Sequence, residues 1–162
     1  NYVRNDGTHG IINFGRPFTA RPVALRGWVK YERGLIDYIT TQPPGEQLEK
    51  GDPDCGSIYI ALGDWDPAVY GGTADCPVEV ATRRIDETAF DKDAEAVIGY
   101  GELLLTESVN GWTEVTIPLD YRSTSRIPTH ILVTFAASRY GDYFTGSSSS
   151  VLWVDDFELV YE

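Results

Sequence analysis

RYGDYFTGSSSSVLWVDDFELVYE, residues 139–162, decides the fold class. Residues 139–150 carry turn chemistry: Gly141, Gly146 and a run of serines, interrupted by Tyr143 and Phe144. Residues 151–161 are β-branched, aromatic or aliphatic at most positions, which is strand chemistry. Strict alternation puts Val151, Trp153, Asp155, Phe157, Leu159 and Tyr161 on one face. Leu152, Val154, Asp156, Glu158 and Val160 fall on the other. The first face is the more apolar and is expected to meet the core. Asp155 then sits in an apolar row, where an unpartnered carboxylate costs several kcal/mol. It must accept backbone amides from the neighbouring loop, pair with a cation side chain, or bind a structural cation.

The same strand chemistry recurs upstream. Residues 23–32 alternate, with Val23, Leu25, Gly27, Val29 and Tyr31 against Ala24, Arg26, Trp28 and Lys30. Strands are also expected at 57–63, 77–84, 97–107, 112–121 and 129–137, with short pieces at 10–14 and 34–39. Pro118 marks a strand end or edge, and Asn110–Gly111 reads as a turn. Residues 1–10 form a polar lead-in, and 15–22 an irregular Pro-rich arm. Only 85–96 reads as a helical turn, with Asp86 as its cap. Residues 40–56 and 64–76 are long loops, of the kind that is functional or mobile. Without crossover helices the strands must pair antiparallel, so the fold class is an all-β antiparallel sandwich of jelly-roll type, one domain over residues 1–162.

Composition agrees. Sixteen glycines, nine prolines and 12% aromatic residues suit a turn-rich β domain. A net charge of −12 argues against nucleic acid and anionic membranes as partners. No apolar run is long enough to span a bilayer. The polar opening NYVRNDG reads as the start of a mature fragment or of one domain cut from a longer chain. Cys55 and Cys76 cannot build a zinc site alone. A disulfide stays open, but if 57–63 and 77–83 form a hairpin the two cysteines lie roughly 25 Å apart at about 3.3 Å per residue.

Sugars offer C–H faces and rings of hydroxyls, so a site for them needs flat aromatics beside planar polar groups. Three stretches qualify. Arg26 and Trp28 share a strand face; Trp28 either stacks a ligand or lies in the core. Trp65 and Tyr70 flank Asp64 in a long loop; they form a platform or anchor that loop. Asp142 and Tyr143 precede the serine run, beside Phe144 as a loop anchor. Trp112 and Trp153 read as packing between the sheets. Hydrolysis of glycosides needs two carboxylates about 5–9.5 Å apart. Asp155 and Asp156 are neighbours on a strand and point to opposite faces, so they cannot flank one bond. His130 at a strand start reads as a surface or capping residue, and no nucleophile elbow or zinc-protease helix motif occurs.

The closing GDYFTGSSSSVLWVDDFELVYE (141–162) resembles the end of the putative carbohydrate metabolism domain of Bacteroidetes surface proteins. FGRPFTARPVALRGWVKYERG (14–34), GSIYIALGDW (56–65), VIGYGELLLTES (97–108) and GWTEVTIPLDY (111–121) occur in matching order. The resemblance implies a galactose-binding-like jelly roll. It also implies the C-terminal domain of a longer exported protein, extracellular, at the cell surface or periplasmic. The family's immunoglobulin-like N-terminal domain is expected outside residues 1–162. The last strand is similar to that of jelly-roll carbohydrate-binding modules in which a calcium sits near the position of Asp155. Together these imply a non-catalytic module binding poly- or oligosaccharide beside other domains of its own chain. A glycoside hydrolase on the same scaffold and a structural or adhesive sandwich remain the alternatives.

Overall fold

The computed structural model describes residues 3–5 and 9–161. In chain order the strands are β1 (Val3–Asn5), β2 (Gly10–Phe14), β3 (Arg16–Pro17), β4 (Ala24–Glu32), β5 (Tyr38–Ile39), β6 (Gly56–Gly63), β7 (Val78–Ala81), β8 (Val97–Leu105), β9 (Val109–Pro118), β10 (Asp120–Tyr121), β11 (His130–Ala136), β12 (Thr145–Gly146) and β13 (Val151–Val160). Two one-turn helices, α1 (Pro67–Tyr70) and α2 (Ile85–Thr88), interrupt them.

A five-stranded sheet, β10-β8-β6-β11-β3, faces a three-stranded sheet, β13-β4-β9, and every pairing is antiparallel. Leu25, Val29 and Tyr31 of β4 meet Ile58, Ile60 and Leu62 of β6 between them. The other face of the larger sheet is covered as well, by β1-β2-β7, α1 and α2, around Ala61, Trp65, Val78, Val80, Ile85 and Leu132. This is why β6 is buried along nearly its whole length: both of its faces pack. The all-β sandwich stands, with a third partial layer. Pro118 ends β9, and the chain crosses to the opposite sheet to enter β10.

Close sheet approach has a local cause. A Cβ on Gly101 of β8 would lie 2.3 Å from the Pro118 carbonyl oxygen. Gly101→Ala is therefore expected to cost about 1–3 kcal/mol by overpacking, read as a lowered denaturant midpoint. An unchanged midpoint would mean the sheets can part there freely.

Several sequence expectations change. Strict alternation fails in β13, because Asp156 and Phe157 together oppose the single Gly27 in a bulge, with Asp156 at φ 49°. Before the bulge Trp153 and Asp155 pair with Lys30 and Trp28 on the outer face; after it Phe157 and Leu159 turn inward to the core. Asp155 is therefore exposed, accepting the Asp156 amide at 3.0 Å, and the burial argument for a cation there falls away. Asn110 and Gly111 lie within β9 at an irregularity, with Gly111 at φ 100°. β2, one of the expected short pieces, is the middle strand of its sheet. β6 and β7 are not partners, since β7 pairs with β2, and Cys55 and Cys76 are free thiols. Asp86 lies in the first turn of α2 without capping it. In the lead-in, residues 3–5 form β1; residues 1, 2 and 6–8 lie outside the described residues, as does 162.

Both long loops are tied down. Asp66 caps α1 by accepting the Ala68 amide at 2.9 Å. In the 40–56 segment, Asp54 is 3% exposed and accepts hydrogen bonds from Ser138, Ser147, Ser150 and the Cys55 amide. The buried carboxylate sought at Asp155 exists, but it is Asp54.

Candidate functional site

The outer face of β13-β4-β9 is a grid set by cross-strand register. Asp155, Trp28 and Glu114 form one row across the three strands; Glu158, Arg26 and Thr116 form the next. Above them Lys30 pairs with Trp153, and its ammonium lies 5.2 Å from that ring's centroid and 4.7 Å from that of Trp112. Trp28, Trp112 and Trp153 are 40%, 47% and 41% exposed. The inward expectation for Trp112 and Trp153 is thus overturned: the β13 bulge and the β9 irregularity turn them out. Lys30 engages both of those rings, a contact worth about 0.5–1 kcal/mol at an exposed site. Beside Trp28 lies a shallow depression of about 530 Å³ lined by Arg26, Glu114, Glu158 and Phe157. Arg26 donates from Nε (3.0 Å) and Nη2 (2.6 Å) to Glu158 Oε1, which raises the arginine pKa by hydrogen bonding and charge. The arrangement is an aromatic plate with a planar cation and carboxylates at its margin.

A second concavity opens on the opposite face of the five-stranded sheet. Register places Glu102, Tyr59 and Thr134 side by side across β8, β6 and β11. Two hollows of about 420 and 560 Å³ lie over this row and share Ser57, Tyr59, Phe90, Arg139 and Asp142. Phe90 stacks on Tyr59 with centroids 5.3 Å apart, and Tyr100 lies 6.0 Å from Tyr59. Arg139 Nε is 3.9 Å from Glu102 Oε1. The Tyr140 hydroxyl donates to Glu46 at 2.7 Å. Burial pushes Asp142 up to about 6, partly opposed by its own amide and that of Tyr143. Burial, with Asp142 and Glu102 nearby, pushes Tyr59 up to about 12. Among the described residues Thr134 Oγ1 is buried with no partner in hydrogen-bonding geometry, although it lies near enough to Tyr59 to temper that shift.

The remaining expected site residues are dispersed. Trp65 is 3% exposed and anchors its loop in the second core, so it is no platform. Tyr70 is half-buried against that core. Asp64 pairs with Arg126 at 2.5 Å. Tyr143 is buried, at 8% exposure, and lines the larger hollow together with Asp142. His130 bonds Thr129 Oγ1 and the Ala74 carbonyl, which ties the 64–76 loop to β11. Asp155 stands on the outer face, and no group of three or more His, Cys, Asp or Glu among the described residues could hold a metal ion. Sequence reasoning missed Glu114 and Glu158 on the outer face and Tyr59, Phe90 and Glu102 in the cleft. The period-2 pattern of β6 and β8 could have placed Tyr59 and Glu102 on one kind of face, but not beside each other.

The profile of the putative carbohydrate metabolism domain matches residues 2–160. The chain belongs to this family. Two crystal structures of similar fold are described as putative glycoside hydrolases. The one from Bacteroides thetaiotaomicron VPI-5482 superposes with a TM-score of 0.66 at 20% identity, over 95% of this chain and 47% of that one. The one from Bacteroides vulgatus ATCC 8482 gives 0.64 at 20% identity, over 95% of this chain and 64% of that one. The chain thus spans from about half to about two-thirds of these relatives, and at that identity they bear on the fold alone. No curated protein matches it. Among the described residues no helix is long and apolar enough to cross a membrane.

Proposed function

We propose that this domain binds poly- or oligosaccharide on the outer face of β13-β4-β9, with Trp28 as the stacking plate and Arg26 as the principal hydrogen-bond donor. One observation carries the reading: an exposed indole sits in a depression rimmed by a guanidinium and carboxylates. An indole covers a pyranose C–H face, and planar charged groups bridge adjacent hydroxyls. Family membership supports carbohydrate as the ligand class. The reading places the domain outside the cell, where polymeric glycans are met, alongside other domains of a longer chain.

Isothermal titration against plant, host and microbial polysaccharides tests it. Any glycan bound by the wild type is expected to lose at least tenfold in affinity in Trp28→Ala, which is about 1.4 kcal/mol. Arg26→Ala should weaken binding less. Silence across the whole panel, or full affinity in Trp28→Ala, would remove this face as the site and leave the structural sandwich.

A further inference from the structure

β2 and β3 are one extended run broken at Gly15. β3 lies antiparallel to β11, with Arg16 opposite Ile131 and Pro17 opposite His130. Continued at that register, Phe14 and Ile12 would stand opposite Val133 and Phe135. They pair instead with Val78 and Val80 of β7, in the third layer. Gly15 makes the turn from one sheet to the other: its φ is 110°, and a Cβ there would lie 2.7 Å from Pro77 Cδ. The diverging strands leave a slot, the hollow of about 420 Å³, with Gly10, Ile12 and Phe14 on one wall and residues 133–136 on the other. β3 is the last strand of its sheet, so among the described residues no strand pairs with β11 beyond Ile131 on that side. The Phe18 amide donates to the Thr129 carbonyl at 2.8 Å, so every second residue from Thr129 onward turns its backbone groups to that side. By that period Val133 and Phe135 present their amides and carbonyls to the slot.

The edge is also unguarded. Residues 131–137 carry no charge and no proline. The outer strands of the smaller sheet do: β13 holds Asp155, Asp156 and Glu158, and β9 holds Glu114 and Pro118. Thr134 adds a buried Oγ1 without a hydrogen-bonded partner among the described residues. Asp142 lines the slot too, and no cation among the described residues pairs with it. Arg139, the cation of the same hollow, is turned to Glu102 at 3.9 Å and to the Tyr140 ring.

We propose that this slot takes an extended, basic peptide of another protein as an added strand on the open edge of β11. Its backbone pairs with Val133 and Phe135. On one face an apolar side chain packs against Ile12 and Phe14, and a lysine or arginine two positions away meets Asp142. A second copy of this chain is the poorer occupant, because it brings a net charge of −12 against the same charge.

The test titrates the isotope-labelled whole chain with capped pentapeptides of sequence Thr-X-Thr-Lys-Thr, where X is Val, Ile, Leu or Phe, and follows backbone amides by NMR. At least one peptide should bind with a Kd below about 1 mM. It should shift the Val133 and Phe135 amides and slow their exchange with solvent about tenfold. Methylating the peptide nitrogens of X and Lys, or those of the three Thr, tests the pairing: one frame should abolish binding and the other spare it, since alternate residues face the edge. Asp142→Asn should weaken the lysine peptide about fivefold and leave its norleucine analogue unchanged. Circular dichroism confirms that the variant folds. Trp28→Ala should bind these peptides as the wild type does, so this proposal and the glycan reading fail separately. No binding by any of the four peptides, shifts confined to other strands, or equal losses in both methylation frames would overturn the proposal. So would sedimentation showing a dimer that protects the same two amides.

Discussion

Asp54→Ala should lower the stability of the domain by about 3–5 kcal/mol, measured by denaturant unfolding. The residue is 3% exposed and its carboxylate gathers four donors. Oδ1 accepts the Cys55 amide at 2.8 Å. Oδ2 accepts the hydroxyls of Ser138 and Ser150 and, at 3.2 Å, the Ser147 amide. These donors come from the end of the 40–56 loop, the segment after β11 and the serine run before β13. Alanine takes this acceptor from all four, leaving the Ser147 amide only Ser138 Oγ at 3.2 Å, and an unmet buried donor costs about 1–3 kcal/mol. Asp54→Asn keeps one acceptor oxygen and should recover part of the loss. Gly34 belongs to the same knot, because a Cβ there would fall 2.4 Å from Ser149 Oγ. A loss under about 1 kcal/mol in Asp54→Ala would show that the serine run is held by other means.

Asp142→Asn should stabilise the protein at pH 7.5 by about 1–3 kcal/mol and leave it unchanged near pH 3.5. The sign follows from burial. Its pKa rises from 3.8 to about 6 in the folded state. Between those values the native state holds a proton that the unfolded chain has released, so wild-type stability falls as pH rises through that window. Below it both states are protonated and nothing is lost. Above it the native state bears the cost of a desolvated carboxylate, about 1.4 kcal/mol per pKa unit. Asparagine has no charge to desolvate. Tyr59 and Tyr143 next to it titrate far above this window and leave its shape alone. Urea unfolding of both proteins at pH 3.5, 5 and 7.5 gives the comparison; a difference constant across pH would refute the burial effect.

Much of the sandwich is legible before folding. In β4 the alternation separates Leu25, Val29 and Tyr31 from Arg26, Trp28 and Lys30; the first set lies inward and the second outward, which decides the open reading of Trp28. In β6 the pattern puts Ile58, Ile60 and Leu62 inward, but the third layer that covers its other face is not visible in the run itself. Trp28 and Arg26 could be named as a pair because two residues on one strand face are neighbours by geometry. Trp65 could not be placed by such reasoning: a loop tryptophan among carboxylates looks the same whether it lies on the surface or plugs a core.

The chain's own residue pattern determined the class of fold, the strand inventory and the two faces of each regular strand, because side-chain period is a property of one strand alone. Which strands lie side by side, and where a bulge reverses the faces, is decided only in the tertiary structure. The single extra residue opposite Gly27 turned Trp153 and Asp155 from core to surface. The adjacency of β8, β6 and β11 put Glu102, Tyr59 and Thr134 in one row, and a loop from residues 137–144 brought Asp142 to it. Hydrogen bonds between strands and the burial they enforce are long-range interactions, and no local pattern encodes the partner of a strand or the medium around its carboxylates.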